Sequence, residues 1–454
     1  MEELVLVGLK YLGKEIDDVD TILLAKWNSQ FPIDNFSLLG KKFNPIITSH
    51  HNNHIGTTYP ANFENSLIVC ADGGSEDGTT KFYLKKGNNI NFLVDLDNTI
   101  LTGKFYGTIT QIVVNPDFIR AHDTYPGQTM GLAALGKFSQ EIYDLIIRNR
   151  TEINKLHVNG CDHLHKILNI SNNFDNIWLD QRRCDLAYTA QNIWCTEFLK
   201  KISEYKDVAE NICLVGGCAL NIILNTEIVN KGWFKNVYIS PVSGDSGQSL
   251  GALLYHFPHI KCQYPYLGRS FGEIKNNEKL ISMITKDLTD HKIIAWYQGP
   301  SEIGARALGH RSFLGLADSI EMRKKLSELV KKRQPFRPVA AILTEEFLPK
   351  FSEKAIPSSF MTFAPLIKES VKVKLPAITH FDGTSRLQTL KKEDNPDLHA
   401  ILTEIGKQTG YPVLMNSSFN ISGEVVVDTP EEAQQSFTSS LADVLYINGQ
   451  RYEK

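Results

Sequence analysis

Three stretches of this chain carry residue types whose spacing suits chemistry. The first is His50-His51-Asn52-Asn53-His54. On a helix, His50 and His54 stand one turn apart on one face, a workable bidentate pair for a metal ion. An ordinary polar helix face accounts for the same spacing. The second runs from Leu214 to Tyr255. An apolar run there breaks into Gly216-Gly217, and after a helix and a second apolar run (Val237–Ser240) comes Gly244-Asp245-Ser246-Gly247. Paired glycines at a strand-to-helix turn let a ligand approach the backbone, because no Cβ intervenes and positive φ is allowed. Asp245 stands where a carboxylate can face a metal or a phosphate, or simply cap the next helix. The third lies in the second half, where Arg306, Arg337 and Arg386 each sit beside glycine, proline or a turn. The planar guanidinium fork suits phosphate and carboxylate oxygens. With Asn416 and Ser418 after a strand, these arginines favour an anion pocket. Lys331 belongs to that pocket or to a basic helix end, which its dipole also welcomes.

The elements that must position these residues follow from pattern. Glu2–Leu24 reads as an amphipathic helix and a short strand. Ser66–Ala71 is a strand running into Asp72-Gly73-Gly74 and Thr79-Thr80, a hairpin whose backbone N–H groups suit phosphates or which is a plain turn. A second hairpin region is expected over Phe92–Val114. Met130–Gly136 reads as a tightly packed small-residue segment. Asp185–Tyr205 has the helical period of a core helix. Cys161–His165 reads as surface. The stretch from His256 to Asn276 shows no period and places a domain boundary, giving units 1–270 and 271–454. Thr429-Pro430-Glu431-Glu432 is a capping box opening a helix, and Val444–Ile447 a closing strand.

A length of 454 residues calls for at least two domains. With 42% hydrophobic and 22% charged residues, the composition is that of a globular chain with no bilayer-crossing run. The acidic start lacks the basic leader of an export signal. Seven cysteines without C-x-x-C pairs fit a reducing compartment, so a cytoplasmic location is expected. A net charge of −3 gives no general reason to expect nucleic-acid binding. No membrane association is expected.

Together these stretches resemble the O-carbamoyltransferases of antibiotic and nodulation-factor biosynthesis, from about His50 to Gly449. The family run E-F-G-P-R-A-L-G-N-R-S is matched by Glu302–Ser312, with Ile303, Ala305 and His310 as departures. K-x-R-x-x-F-R-P is matched by Lys331–Pro338, D-G-T-x-R-x-Q-T by Asp382–Thr389, and N-T-S-F-N by Asn416–Asn420. In the first half, H-H-x-x-H is His50–His54, M-G-L-A-x-x-G is Met130–Gly136, and G-G-V-A-L-N is Gly216–Asn221 with Cys218. Gln128 stands where members often carry lysine.

The resemblance implies an α/β protein of two domains, an actin/Hsp70-type ATPase-like (TsaD-like) unit and a YrdC-like unit that forms carbamoyl-adenylate. It implies a divalent metal, iron(II) in relatives, on His50, His54 and Asp245. Carbamoyl phosphate and the adenylate would be held by Arg306, Lys331, Arg337, Arg386, Asn416 and Ser418, with Arg306, Arg337 and Arg386 catalytic. Nucleotide would be held by Asp72, Gly73, Gly74, Gly216, Gly217 and Asn221. The implied partners are carbamoyl phosphate, ATP with magnesium and a small hydroxyl-bearing acceptor, and a homo-oligomer is compatible. Relatives open with a strand–turn–strand segment bearing a first phosphate loop, whereas this chain starts at the helix after it. That implies either an enzyme completed elsewhere or an impaired carbamoyl phosphate- and nucleotide-binding member. A threonylcarbamoyl-type tRNA modification protein is the remaining reading.

Overall fold

The computed structural model describes residues 2–25, 36–272 and 278–454. Residues 273–276, where the sequence places the end of the domain boundary, lie outside them. Helix α1 (Glu2–Leu12) buries none of its side chains. A parallel strand pair, β1 (Leu23–Ala25) with β2 (Ile46–Thr48), leads into helix α2 (His50–Gly56). A five-stranded sheet follows. Strands β3 (Asn65–Ser75), β4 (Gly78–Lys86) and β5 (Asn89–Asp95) are joined antiparallel, and β6 (Asn211–Val215) and β7 (Asn236–Ile239) are added parallel on the other side of β3. The spatial order is β5-β4-β3-β6-β7, a mixed sheet of the expected actin/Hsp70 type.

Both faces of this sheet are covered, so its central strands read as unbroken apolar runs. Leu67, Val69, Ile212 and Leu214 point into the larger core. There they meet helices α3 (Gly103–Val113), α4 (Pro126–Ala133) and α5 (Gln181–Ser203). Ile68, Cys70, Cys213 and Val215 point the other way, against Ile55 of α2 and Tyr255 of α7 (Gln248–His256). Helix α6 (Ile222–Lys231) links β6 to β7. Burying a side chain of this size contributes roughly 1.5–3 kcal/mol. These alternating runs therefore fix which face each loop leaves from.

Helix α8 (Glu278–Thr289) opens the second half. A seven-stranded sheet follows, built from β8 (Ile294–Tyr297), β9 (Arg311–Leu316), β10 (Ala340–Thr344), β11 (Leu387–Leu390), β12 (Val413–Ser418), β13 (Val444–Ile447) and β14 (Gln450–Glu453), in the order β11-β10-β12-β9-β8-β13-β14. Helix α8 and helix α9 (Pro396–Thr409) cover one face through Ile284, Leu288, Leu398 and Leu402. The expected capping box at Thr429 is present on helix α10 (Pro430–Ser439). The two halves meet closely. Phe336 and Phe363 join the first half's core. The Asn225 amide donates to the Thr362 carbonyl at 3.1 Å, and Ala364 N–H donates to Thr226 Oγ1 at 2.8 Å.

Three expectations need correcting. Phe92–Val114 is not a hairpin: β5 ends at Asp95, and α3 is a buried helix whose cap Thr102 accepts from Phe105 N–H. Its apolar residues Phe105, Ile109, Ile112 and Val113 do recur at helical spacing, but aromatic and β-branched residues also favour strands. Cys161–His165 is not wholly a surface segment, because Cys161, Leu164 and His165 are buried while Asp162 and His163 are exposed. The sheet does not close on Val444–Ile447, since β14 pairs beyond it. All seven cysteines are free thiols, and no helix of the described residues is long and apolar enough to cross a membrane.

Gly216, at φ +86°, would place a Cβ 2.1 Å from the Ala71 carbonyl oxygen. A Gly216→Ala change should therefore lower stability by ~2–4 kcal/mol, visible as a fall in the urea midpoint. An unchanged midpoint would contradict the close packing of β3 on this turn.

Candidate functional site

Metal-type chemistry collects where α2 crosses α7. Two glycines permit the crossing: a Cβ on Gly56 would lie 2.0 Å from Gly251 O, and one on Gly251 would lie 1.8 Å from Asn53 O. Ser49 caps α2 through Asn52 N–H, so His50 and His54 emerge on one face towards the end of β3. Asp245 comes from the turn before α7. The expected trio is brought together, and a fourth residue joins it. Asp72 Oδ2 lies 3.0 Å from His50 Nε2 and 2.8 Å from His54 Nε2, while Asp245 Oδ1 lies 3.4 and 3.5 Å from them.

The two imidazole nitrogens are themselves 3.0 Å apart. Asp72 was expected with the nucleotide set. Its second oxygen accepts instead from Gly73 N–H at 2.7 Å and Gly217 N–H at 3.3 Å. Burial alone would lower the His50 imidazole, but hydrogen bonds from Asp245 and Asp72 outweigh it and hold it raised to about 10. His54 is raised for the same reasons. Asp245 is lowered chiefly by its hydrogen bond to His50. Facing lone pairs of two buried imidazoles and two carboxylates are reconciled by protons or by a divalent cation, and this N₂O₂ donor set fits a first-row metal. Asp245 keeps 63% of its side chain exposed, which leaves one approach open.

The rest of the expected nucleotide set is near but not uniform in aim. Gly73 and Gly74 sit in β3, where the β3–β4 register shifts between Ala71 and Ser75, not in the hairpin turn. A Cβ on Gly74 would lie 3.3 Å from Lys104 Cε. Gly216 N–H donates to Ser243 O at 2.8 Å. The Asn221 amide caps α6 through Leu224 N–H and pairs with Gln191, so it serves the fold.

The arginines of the second half form a cluster. Arg306, Arg337 and Arg386 are joined by Arg333, which sequence reasoning left out although it stands inside the quoted K-x-R spacing. All four keep some accessible surface, yet burial pushes every guanidinium down. For Arg306 the next cause is Arg337, and for Arg386 it is Arg306, Arg333 and Arg337 together. Arg333 falls to about 9, by burial and then by Arg337 and Arg306, and Arg337 falls by burial. Groups largely surrounded by protein but still reached by solvent suit an incoming anion. Among the described residues none of the four forms an ion pair with a carboxylate, and Arg386 Nε is buried without a hydrogen-bond partner.

Local contacts explain how the cluster is held. Glu302 Oε1 accepts from the N–H groups of Leu308, His310 and Arg311, which curls the loop bearing Arg306. Arg333 donates to Ser417 Oγ at 3.1 Å. Asn416 donates to Ala307 O and Gln388 Oε1. Lys331 is turned into the protein: its Nζ donates to the Ser418 carbonyl at 2.6 Å, to Asn420 Oδ1 at 2.7 Å and to the Asn420 carbonyl. Burial and then Arg333 and Arg337 press its ammonium down, while those oxygens hold its protons. Lys331 and Ser418 thus brace each other.

The chain belongs to the carbamoyltransferase family: the description "Carbamoyltransferase N-terminus" matches residues 8–254 and "Carbamoyltransferase C-terminus" residues 285–454. Nodulation protein NolNO of Sinorhizobium fredii is 26% identical over 512 residues, covering 98% of this chain and 73% of that protein. Nodulation protein NolO of Bradyrhizobium diazoefficiens is 26% identical, covering 88% of this chain and 77% of that protein. Full-length HypF in its phosphate- and nucleotide-bound form is 15% identical with a TM-score of 0.25, over 48% of this chain and 44% of that one. That likeness is too slight to argue from.

Two predictions follow from the geometry. Asp72→Asn removes the oxygen facing both histidines and should weaken Co²⁺ or Zn²⁺ binding by ~10–100-fold in calorimetry; unchanged affinity would remove Asp72 from the set. Arg386→Gln relieves like-charge repulsion and should raise the melting temperature of the anion-free protein by about 2–4 °C. The same change should abolish the stabilisation that inorganic phosphate gives the wild type, and a lower melting point without phosphate would contradict an uncompensated cluster.

Proposed function

We propose that this protein transfers a carbamoyl group from carbamoyl phosphate, by way of carbamoyl-adenylate formed with ATP, to a hydroxyl of a small metabolite. The observation that supports this most is the cluster of four arginines without carboxylate partners, with the Arg306 loop packed through Gly304 against Pro241, which opens the loop carrying Asp245. Buried guanidinium groups without counter-charges are costly unless an anion completes them. A carbamoyl phosphate or adenylate supplies that charge. Membership of the carbamoyltransferase family supports the group transferred.

The reaction balances as three steps. Carbamoyl phosphate and water give carbamate and phosphate. Carbamate oxygen then attacks the α-phosphorus of ATP, expelling pyrophosphate and leaving a mixed anhydride. The acceptor oxygen attacks the carbamoyl carbon, AMP leaves, and the hydroxyl proton passes to solvent or a nearby base. Arg306, Arg337, Arg386 and Arg333 would neutralise the charge that builds on phosphoryl oxygens in the first two steps. Asn416, anchored on Ala307 O and Gln388, would orient the carbamoyl end. His50, His54, Asp72 and Asp245 would hold a divalent ion, iron(II) or another, which supplies Lewis-acid polarisation when bound. Asp72 thereby moves from the nucleotide set: it takes the N–H groups of Gly73 and Gly217, and Ser243 O takes that of Gly216. The nucleotide role proposed for Gly73, Gly74, Gly216 and Gly217 therefore rests on the close approach that residues without a Cβ allow.

The same reading divides the chain into an ATPase-like unit, 1–270, and a YrdC-like adenylate-forming unit, 271–454. The two family descriptions, matched to residues 8–254 and 285–454, support a division of that kind. Purified protein given carbamoyl phosphate and labelled ATP should release pyrophosphate and AMP. Arg337→Ala should cut that release ~10²-fold or more with little change in melting temperature. Pyrophosphate release indifferent to carbamoyl phosphate would sink the proposal.

A further inference from the structure

A second group of metal-type side chains lies away from α2 and α7. Glu152, on the short helix Arg150–Ile153, His157, in the loop after it, and His163, on the helix Asp162–Leu168, each bring a ligand atom within 4.8 Å of the others. His163 Nε2 lies 3.1 Å from Glu152 Oε1. The other Glu152 oxygen accepts from Lys155 Nζ at 2.6 Å, so Oε1 is the one left for a ligand. His157 is buried, and its Nε2 donates to the Glu152 carbonyl at 2.9 Å. A carbonyl oxygen only accepts, so that nitrogen carries the proton and Nδ1 keeps the lone pair. Histidines bound to metals commonly donate their other ring N–H to such a carbonyl, which fixes ring and tautomer.

We infer that Glu152, His157 and His163 form a second divalent-cation site, of the zinc class, completed by water. Two imidazoles and one carboxylate on a short, half-exposed segment are a donor set that zinc accepts, with a fourth position open. The neighbouring Lys155 does not forbid this, because it engages the oxygen turned away from His163.

The segment carrying these ligands is knitted to α3. Gln111 Nε2 donates to the His157 carbonyl at 3.1 Å, Thr108 Oγ1 donates to the Lys155 carbonyl at 3.1 Å, and Thr102 Oγ1 donates to Asn154 Oδ1 at 2.5 Å. Helix α3 in turn starts against the end of β3, where a Cβ on Gly103 would lie 2.7 Å from Gly73 N. A cation joining Glu152, His157 and His163 thus ties the two short helices together and braces the helix that backs the Gly73 turn. Its role is structural, and it stands whether or not the carbamoyl reading holds.

The test is a titration of metal-stripped full-length protein with Zn²⁺, followed by calorimetry and thermal melting. Wild type should take up about two equivalents, and His163→Ala and His54→Ala about one each. Zn²⁺ should raise the melting temperature of His54→Ala but leave that of the His54→Ala/His163→Ala double variant unmoved. His163 is exposed, so its truncation leaves the metal-free melting point near wild type, which controls for folding. Glu152→Gln should reproduce the His163→Ala loss. Retention of both equivalents by His163→Ala, or loss of all Zn²⁺ binding in His54→Ala, overturns the inference.

Discussion

One carboxylate organises the first half of this protein. Asp72 ends the apolar part of β3, and its two oxygens face opposite duties. One meets His50 and His54 of α2; the other receives the N–H groups of Gly73 and Gly217. A single buried charge therefore joins a strand end, a helix and the turn after the neighbouring strand. Such a charge persists in the interior only where partners surround it. That requirement explains the glycines nearby. Gly216, Gly56 and Gly251 let backbone approach backbone so that the partners come within reach.

The second half depends on the opposite economy of charge. Four guanidinium groups are clustered, burial lowers all four and neighbouring guanidiniums lower Arg306, Arg333 and Arg386 further, and no carboxylate answers them among the described residues. The loop bearing Arg306 is shaped by Glu302, which spends its carboxylate on three backbone N–H groups rather than on any arginine. The Arg306 loop also touches the first half. Gly304 leaves no room for a Cβ beside the Pro241 carbonyl, which would lie 2.1 Å away, and Pro241 opens the loop that carries Asp245. Phe336, two residues from Pro338, stacks near Trp178 at 6.0 Å between ring centroids. Pro338 in turn approaches Gly131 of the small-residue helix α4. The arginine cluster and the histidine–aspartate cluster are thus carried on segments that pack against one another.

Legibility followed periodicity. Helix α5, the central strand β3 and the capping box of α10 were readable because period, cap chemistry and apolar runs agreed at those places. Helix α3 was not, since its aromatic and β-branched residues Phe105, Tyr106, Ile109, Ile112 and Val113 favour a strand although their spacing is helical. Strands β9 to β11 were not legible either: each is short and buried throughout, so no alternation of apolar and polar residues marks it. His165 and Cys161 looked polar in sequence, yet both are packed inside.

The sequence by itself determined the residue types of both sites, the helical spacing of His50 and His54, and the family motifs that carry Arg306, Arg337 and Arg386. It did so because spacing along one element fixes which side chains share a face. Only the tertiary structure decided that Asp72 faces the histidines, that Arg333 joins the arginine cluster, and that Lys331 bonds to Ser418 and Asn221 to Gln191. Those assignments depend on which elements cross and which buried polar atoms find partners. Contacts between residues far apart in the chain settle both, and no local pattern records them.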